Sequence, residues 1–177
     1  MNDLNELETL IVGWAKARGI VPNATPESQI LKAVSEMGEL ADATLKGQDE
    51  EMQDAIGDVV VCLINLGALH EWGVFYQYFD LVHKLGFNWM GQLRKRTPAA
   101  QVMVAVSELG KLAEAKGNDR DMGMVDAIGN VTVCLDNLCI LKGWTLEECV
   151  WKAWEQIKDR KGTLLPNGCF VKEEEAK

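Results

Sequence analysis

The chain has 177 residues, of which 47% are hydrophobic and 25% are charged. This length predicts one compact domain, or two short halves that share a core, and the apolar content excludes global disorder. Eighteen basic residues against 27 acidic ones give a net charge of −9. A negative field of this size argues against binding to nucleic acid.

Composition also predicts where the protein works, which is the cytoplasm of a bacterium or of a phage-infected host. The first residues, MNDLNELETL, are acidic where a secretory signal would be basic. No apolar run reaches the roughly 18 residues that a membrane span requires. The five cysteines form no CxxC pair and lie mostly in apolar runs, so we expect reduced thiols in the core and no membrane partner.

The first elements in chain order are predicted to be helices. Apolar residues recur at helical spacing over 3–18. A second helix is expected from 26 to 46, because the sequence Thr-Pro-Glu at its start supplies a cap, an early proline and an acid, and a glycine follows its end. A third helix is expected from about 49 to 72.

The middle of the chain contains an internal repeat at an offset of 72 residues. Residues 29–66 align without a gap to residues 101–138, and 21 of the 38 positions are identical. Composition alone does not preserve such a register, so we interpret the repeat as a duplication. It divides the chain into a first repeat at 1–73, a bridging helical segment at 74–96, a second repeat at 97–165 and a tail at 166–177.

These elements predict the architecture. Thr145 is expected to cap another helix, and a turn or small hairpin is expected around 166–168, but no segment shows convincing strand alternation. We therefore expect a single all-α domain over 1–177. It would be a helical bundle of two fused half-units about a pseudo-two-fold axis, an intrachain pseudo-dimer.

Four carboxylates of the first repeat are expected to converge. At about 100° per residue, Asp54 and Asp58 share one stripe with Asn65 on an otherwise apolar helix, so both acids should be partly buried. Glu36 and Glu39 lie a turn apart on the preceding helix, where a solvated face is the ordinary alternative. Buried carboxylates are paired, protonated or metal-bound, and oxygen ligands favour Mg²⁺, with Mn²⁺ as a substitute.

The second repeat replaces this cluster. Its equivalent residues are Glu108, Lys111, Asp126 and Asn130, so the formal charge changes from −4 to −1 (two acids and one base). Lys111 is expected to pair with Glu108 and Asp126 as a structural salt bridge. The sequence therefore predicts one metal cluster per chain, in the first repeat.

At these residues the first repeat resembles the MazG-like members of the all-α nucleoside triphosphate pyrophosphohydrolase superfamily. The family pattern is EExxE followed by ExxD; here Ser35 and Ala55 stand in place of two glutamates, and Asp54 is the expected replacement ligand. The resemblance is carried by Trp14, Arg18-Gly19-Ile20, Gln29, Lys32, Glu36-Met-Gly-Glu39, Lys46-Gly47, Asp54-Ala-Ile-Gly-Asp58, Asn65, Ile157-Lys-Asp-Arg160-Lys-Gly and Phe170-Val-Lys172.

The resemblance implies Mg²⁺-dependent hydrolysis of a nucleoside triphosphate to the monophosphate and diphosphate. Its catalytic and metal residues would be Glu36, Glu39, Asp54 and Asp58, with Glu39 preferred as the general base. Its substrate-binding residues would be basic side chains that bind the phosphates, foremost Lys32, together with Trp14 and Asn65, which would contact the nucleoside. Core packing is the commoner role for a tryptophan such as Trp14. The full substrate-binding set is Lys32, Asn65, Trp14, Arg18, Lys158 and Arg160.

Several alternatives stay open at this point. The substrate range could be narrow, as in dUTPase-like, dCTPase-like or phosphoribosyl-ATP pyrophosphatase-like enzymes. A different class is a non-catalytic bundle that senses nucleotides or binds another protein. Either the two repeats of one chain complete the functional pair, or two chains form a homodimer that gives a four-unit assembly.

Overall fold

The computed structural model describes residues 4–75 and 96–173. Within these ranges the chain forms seven helices and one two-stranded sheet, which confirms the all-α expectation apart from the small hairpin. The bridging segment predicted at 74–96 lies almost wholly outside the described residues. The helices are α1 (Leu4–Ala17), α2 (Ile20–Asn23), α3 (Pro26–Lys46), α4 (Asp49–Leu69), α5 (Pro98–Gly117), α6 (Asp121–Lys142) and α7 (Leu146–Ile157), and the strands are β1 (Gly162–Leu164) and β2 (Phe170–Lys172).

Local capping sets the helix boundaries. The hydroxyl oxygen of Thr25 accepts a hydrogen bond from the third residue of α3, Thr97 does the same for α5, and Thr145 forms a full capping box at the start of α7. Gly47 and Gly143 end α3 and α6 in the left-handed conformation that favours glycine. The Thr-Pro start shared by α3 and α5 extends the repeat beyond the aligned residues.

The central helices pack as two antiparallel hairpins, α3 on α4 and α5 on α6. Helix α3 also packs on α5, and α4 packs on α7. At Gly57 the helices α4 and α7 approach so closely that an added Cβ would lie 2.3 Å from the carbonyl oxygen of Cys149 and 2.7 Å from Cβ of Ala153. This contact fixes α7 against the part of α4 that carries Asp58.

Two ion pairs join the repeats end to start. Nζ of Lys116, near the end of α5, lies 3.0 Å from Oε1 of Glu27 at the start of α3. Nζ of Lys142, at the end of α6, lies 2.6 Å from Oδ1 of Asp49 at the start of α4. Each pair links the end of a helix of the second repeat to the start of the equivalent helix of the first.

Helices α4 and α6 are long and apolar enough to cross a membrane by length and composition. Neither helix is one uninterrupted apolar run, because acidic residues interrupt both. Of their most apolar 18-residue windows, 72% in α4 and 67% in α6 is buried inside the fold. This is the burial expected of core helices.

The C-terminal hairpin confirms the turn expected around residues 166–168. Strands β1 and β2 are antiparallel, with Gly162 opposite Lys172 and Leu164 opposite Phe170. Gly168 adopts a φ of +79° and lies against the start of α3, where an added Cβ would be 2.8 Å from the Thr25 backbone nitrogen. The hairpin is therefore held beside α3.

Candidate functional site

Most of the residues predicted to be functional line one open pocket. It encloses about 590 Å³, including its open mouth, between α1, α3, α4, the end of α7 and the hairpin. Six predicted site residues line it, namely Trp14, Lys32, Glu36, Asp58, Asn65 and Arg160. The other lining residues are Ile20, Ser28, Gln29, Val61, Cys62, Ile157, Cys169 and Phe170.

The pocket lining includes an ion pair between an exposed lysine and a buried glutamate. Nζ of Lys32 lies 2.5 Å from Oε1 of Glu36, one turn further along α3, and Glu36 is only 4% exposed. Burial disfavours the charged ammonium, but the hydrogen bond and the charge of Glu36 outweigh it, so the pKa of Lys32 is raised. The pocket therefore contains a fixed positive charge beside a buried carboxylate.

Asp58 lies in the same acidic environment, on the facing side of α4. Burial, followed by the negative charges of Glu36 and Asp54, raises its pKa to about 7, although the charges of Arg160 and Lys32 oppose this rise. The three carboxylates thus repel one another. A cation bound between them would relieve this repulsion.

Asp54 is half-buried beside the pocket and does not line it. Its Oδ1 accepts a hydrogen bond of 2.5 Å from Nε2 of Gln156 on α7. The sequence reasoning missed Gln156. Its signal is the spacing of Lys152 and Gln156, which are four residues apart on α7 and so share one face. Lys152 also lies along α4, where it donates to the Glu50 carbonyl at 3.1 Å.

The four predicted metal ligands are not assembled as a set. Glu39 is exposed and does not line the pocket, although it was the preferred general base. Among residues 4–75 and 96–173, no three carboxylate, histidine or cysteine side chains are arranged to hold a metal ion. Mg²⁺ commonly takes one or two protein carboxylates and completes its shell with water and substrate phosphates. The donors Glu36 and Asp58 fit such a shared ion and do not form a cage by themselves.

The pocket also has an aromatic part of its lining and contains two unpartnered polar atoms. The rings of Trp14 and Phe170 meet edge to face, with centroids 5.8 Å apart. Nε1 of Trp14 and Oδ1 of Asn65 are buried, and neither has a hydrogen-bond partner among the described residues. A buried donor and a buried acceptor without partners lower the stability of the folded chain. A ligand that formed hydrogen bonds with both atoms would remove this loss.

Arg18 and Lys158 are not brought into the pocket. The Arg18 guanidinium lies 4.9 Å from the centre of the Trp14 ring, donates from Nε to the Arg160 carbonyl at 2.6 Å and donates from Nη2 to the Lys158 carbonyl at 2.9 Å. Nζ of Lys158 pairs with Oε2 of Glu155 at 2.6 Å. Arg18 therefore joins the chain after α7 to α1 and holds Trp14 and Arg160 in place.

The second repeat keeps the glutamate, which is half-buried there, and uses a different cation. Lys111 pairs with Glu108 at 2.7 Å as expected, but Asp126 is exposed and makes no ion pair among the described residues. Gln101 donates from its amide to the Cys134 carbonyl at 3.0 Å. The equivalent residue in the first repeat lines the pocket and donates only a long hydrogen bond of 3.5 Å to its neighbouring serine.

Comparisons with known proteins give one partial match and no family. No family model matches the chain, and no solved structure matches it. An uncharacterized 18.2 kDa protein from the rep-hol intergenic region of Haemophilus phage HP1 is 36% identical over 66 residues, which is 37% of this chain and 40% of that protein. The chain therefore spans about two fifths of the length of this curated relative.

Proposed function

We propose that the protein is a Mg²⁺-dependent nucleoside triphosphate pyrophosphohydrolase of the MazG-like type, which converts a (d)NTP and water to the monophosphate and diphosphate. The observation that carries the proposal is the polarity of one pocket. Its lining combines the charged groups of Lys32, Glu36, Asp58 and Arg160 with the aromatic ring of Trp14 and with unpartnered polar atoms. A nucleotide combines the same kinds of group, since its phosphates are charged and its base is planar with hydrogen-bonding edges.

Each part of the pocket would have its own task. Lys32 and Arg160 would bind phosphate oxygens, because both place a positive charge on the lining. Glu36 and Asp58 would hold Mg²⁺ together with the phosphates. When bound, the ion would offset the charge that develops during phosphoryl transfer. Trp14 and Asn65 would present their free donor and acceptor to the base.

The two repeats would form a pseudo-dimer in which only the first carries a site. Lys116 pairs with Glu27 and Lys142 pairs with Asp49, so equivalent helices of the two halves contact each other, as expected for halves related by a pseudo-two-fold axis. The single basic substitution at Lys111 would leave the second repeat with a structural role.

A non-catalytic nucleotide-binding bundle is the second candidate. It is favoured by the dispersed carboxylates, since no three of them in the described ranges are arranged around a metal position. An enzyme with a narrow substrate range, such as a dUTPase-like, dCTPase-like or phosphoribosyl-ATP pyrophosphatase-like enzyme, would use the same mechanism. It would differ only in the groups that contact the base.

The test is turnover of a panel of NTPs and dNTPs with Mg²⁺, measured for the wild type and two variants. Asp58→Asn should lower kcat about 100-fold, because it removes a charge that a metal ligand needs. Asp126→Asn, the same change at an exposed carboxylate of the second repeat, is the control and should change kcat less than twofold. Binding without turnover would favour the sensor, turnover of one nucleotide would favour the narrow enzyme, and neither binding nor turnover would contradict both.

A further inference from the structure

A buried glutamine occupies the same position in both repeats and has different partners in each. Gln101 of the second repeat donates from Nε2 to the Cys134 carbonyl at 3.0 Å and accepts at Oε1 a 3.2 Å hydrogen bond from Nη1 of Arg96. The side chain of Gln29 in the first repeat makes one hydrogen bond to the described residues, from Nε2 to Oγ of Ser28 at 3.5 Å. A bond of this length is weak, so the hydrogen-bonding groups of Gln29 are largely unused.

Gln29 belongs to the lining of the pocket, together with Asn65 and Trp14. All three residues are more than nine-tenths buried. Within the part of the chain that the structure describes, Oδ1 of Asn65 and Nε1 of Trp14 have no hydrogen-bond partner. The polar groups of one pocket that the fold leaves unsatisfied are therefore two carboxamides and an indole N–H.

The two carboxamides lie at the same level of the hairpin that α3 and α4 form. Gln29 lies 17 residues before the end of α3, and Asn65 lies 16 residues after the start of α4. Because a two-residue turn joins these helices and they pack on each other, positions equally far from the turn are neighbours. One ligand in the pocket could therefore contact both carboxamides.

The chemistry of these groups indicates which kind of base they fit. Each carboxamide offers donors on one side and an acceptor on the other, whereas the indole offers a donor only, so donor groups outnumber acceptor groups. Such a set complements a base edge with more acceptors than donors. On its pairing edge a pyrimidine, cytosine or uracil, presents two acceptors and one donor, while guanine presents one acceptor and two donors and adenine one of each.

We propose that Gln29 is a specificity-determining residue, which together with Asn65 and Trp14 binds the edge of a pyrimidine base and makes pyrimidine nucleoside triphosphates the preferred ligands. This inference rests on the proposed function, because it assigns the base of the nucleotide that the pocket would take. Gln29 would contact the base and not the phosphates. Its replacement should therefore change the preference among bases.

The test is the affinity of the full chain for non-hydrolysable analogues of CTP, UTP, ATP and GTP with Mg²⁺, measured by isothermal titration calorimetry. Wild type should bind the two pyrimidine analogues about 10-fold more tightly than the two purine analogues. Gln29→Met keeps the length of the side chain and removes its hydrogen-bonding groups, so it should reduce this preference to about twofold. Gln101→Met is the matched control in the second repeat and should keep the wild-type preference. It should lower Tm more than Gln29→Met does, because it removes two hydrogen bonds of a buried side chain.

The outcomes separate this inference from the proposed function. If wild type bound purine and pyrimidine analogues equally, or if Gln29→Met kept the full pyrimidine preference, the inference would be overturned while nucleotide binding would stand. If wild type bound none of the four analogues, both the inference and the proposed function would be overturned. The comparison of the four analogues on wild type needs no variant, so it decides the matter even if a substitution prevents folding.

Discussion

The ammonium of Lys32 lies 2.5 Å from Oε1 of Glu36, four residues further along α3. In the second repeat the equivalent glutamate, Glu108, is paired with Lys111, which follows it by three residues. The two repeats thus neutralise equivalent carboxylates with cations from opposite directions. Only the first arrangement places the cation on the lining of the pocket.

Replacing Lys32 by methionine should weaken nucleotide binding, because the apolar stem is kept while the positive charge is lost from the pocket. We expect KM for the triphosphate to rise about 10-fold, the effect of roughly 1.4 kcal/mol of lost binding free energy. The matched control is Lys111→Met, which breaks the equivalent ion pair away from the pocket and should leave KM unchanged. Equal effects of the two variants would mean that the ion pair has only a structural role.

Asp58 should make the protein less stable as pH rises. Its pKa is raised to about 7 in the folded state, well above the ordinary value for aspartate, so the folded chain binds more protons than the unfolded chain between about pH 4 and pH 7. The free energy of unfolding therefore falls through this range, and the loss is complete above pH 7.

Asp58→Asn removes that loss and should raise the free energy of unfolding at pH 8 by on the order of 2 kcal/mol, or Tm by roughly 5 °C. At pH 4 the variant and the wild type should unfold at nearly the same temperature. Thermal unfolding followed by circular dichroism at both pH values measures this. A variant that gains no stability at pH 8 would show that the carboxylate is compensated in the folded chain.

Gly57→Ala should disrupt the contact between α4 and α7. The added methyl group would lie 2.3 Å from the Cys149 carbonyl oxygen, so we expect a loss of about 1–3 kcal/mol in the free energy of unfolding. Gly13→Ala on α1 is the control. Nothing lies within 4 Å of its Cβ position, and it should gain about 0.5–1 kcal/mol from helix propensity. Denaturant unfolding compares the two, and equal effects would contradict the close packing at Gly57.

Cys169 should report occupancy of the pocket. It is partly exposed and lines the pocket, whereas the other four cysteines are buried. A maleimide should label Cys169 first, and a non-hydrolysable triphosphate analogue with Mg²⁺ should slow this labelling about 10-fold. Peptide mass spectrometry measures the rate, and Cys169→Ser should abolish the fast phase. Labelling that the analogue leaves unchanged would argue against nucleotide binding in this pocket.

Periodicity and capping were sufficient to predict an all-α chain and the positions of its helices. The start of α3 at Pro26, the capping box at Thr145 and the hairpin around 166–168 follow from local chemistry that acts over a few residues. The duplication was visible because identical residues recur in register. These features are local or internal to the sequence, and tertiary packing did not override them.

The site could be predicted only in part, because helical angles do not fix contacts between distant segments. Spacing on α4 correctly indicated that Asp58 would be partly buried. It did not show that Glu39 faces solvent, or that Arg18 donates to carbonyls 140 and 142 residues away along the chain. The bond from Gln156 to Asp54 was missed for the same reason, since the packing of α7 on α4 decides it.

The products show which phosphate bond is cleaved, and they therefore test the proposed pyrophosphohydrolase activity most directly. The protein is incubated with Mg²⁺ and a nucleoside triphosphate that it hydrolyses, in water enriched in ¹⁸O. The phosphorus species are followed by ³¹P nuclear magnetic resonance. We expect two initial products, the nucleoside monophosphate and inorganic diphosphate, released together in equal amounts. Nucleoside diphosphate with orthophosphate would contradict it, because the γ-phosphate would then be the group cleaved.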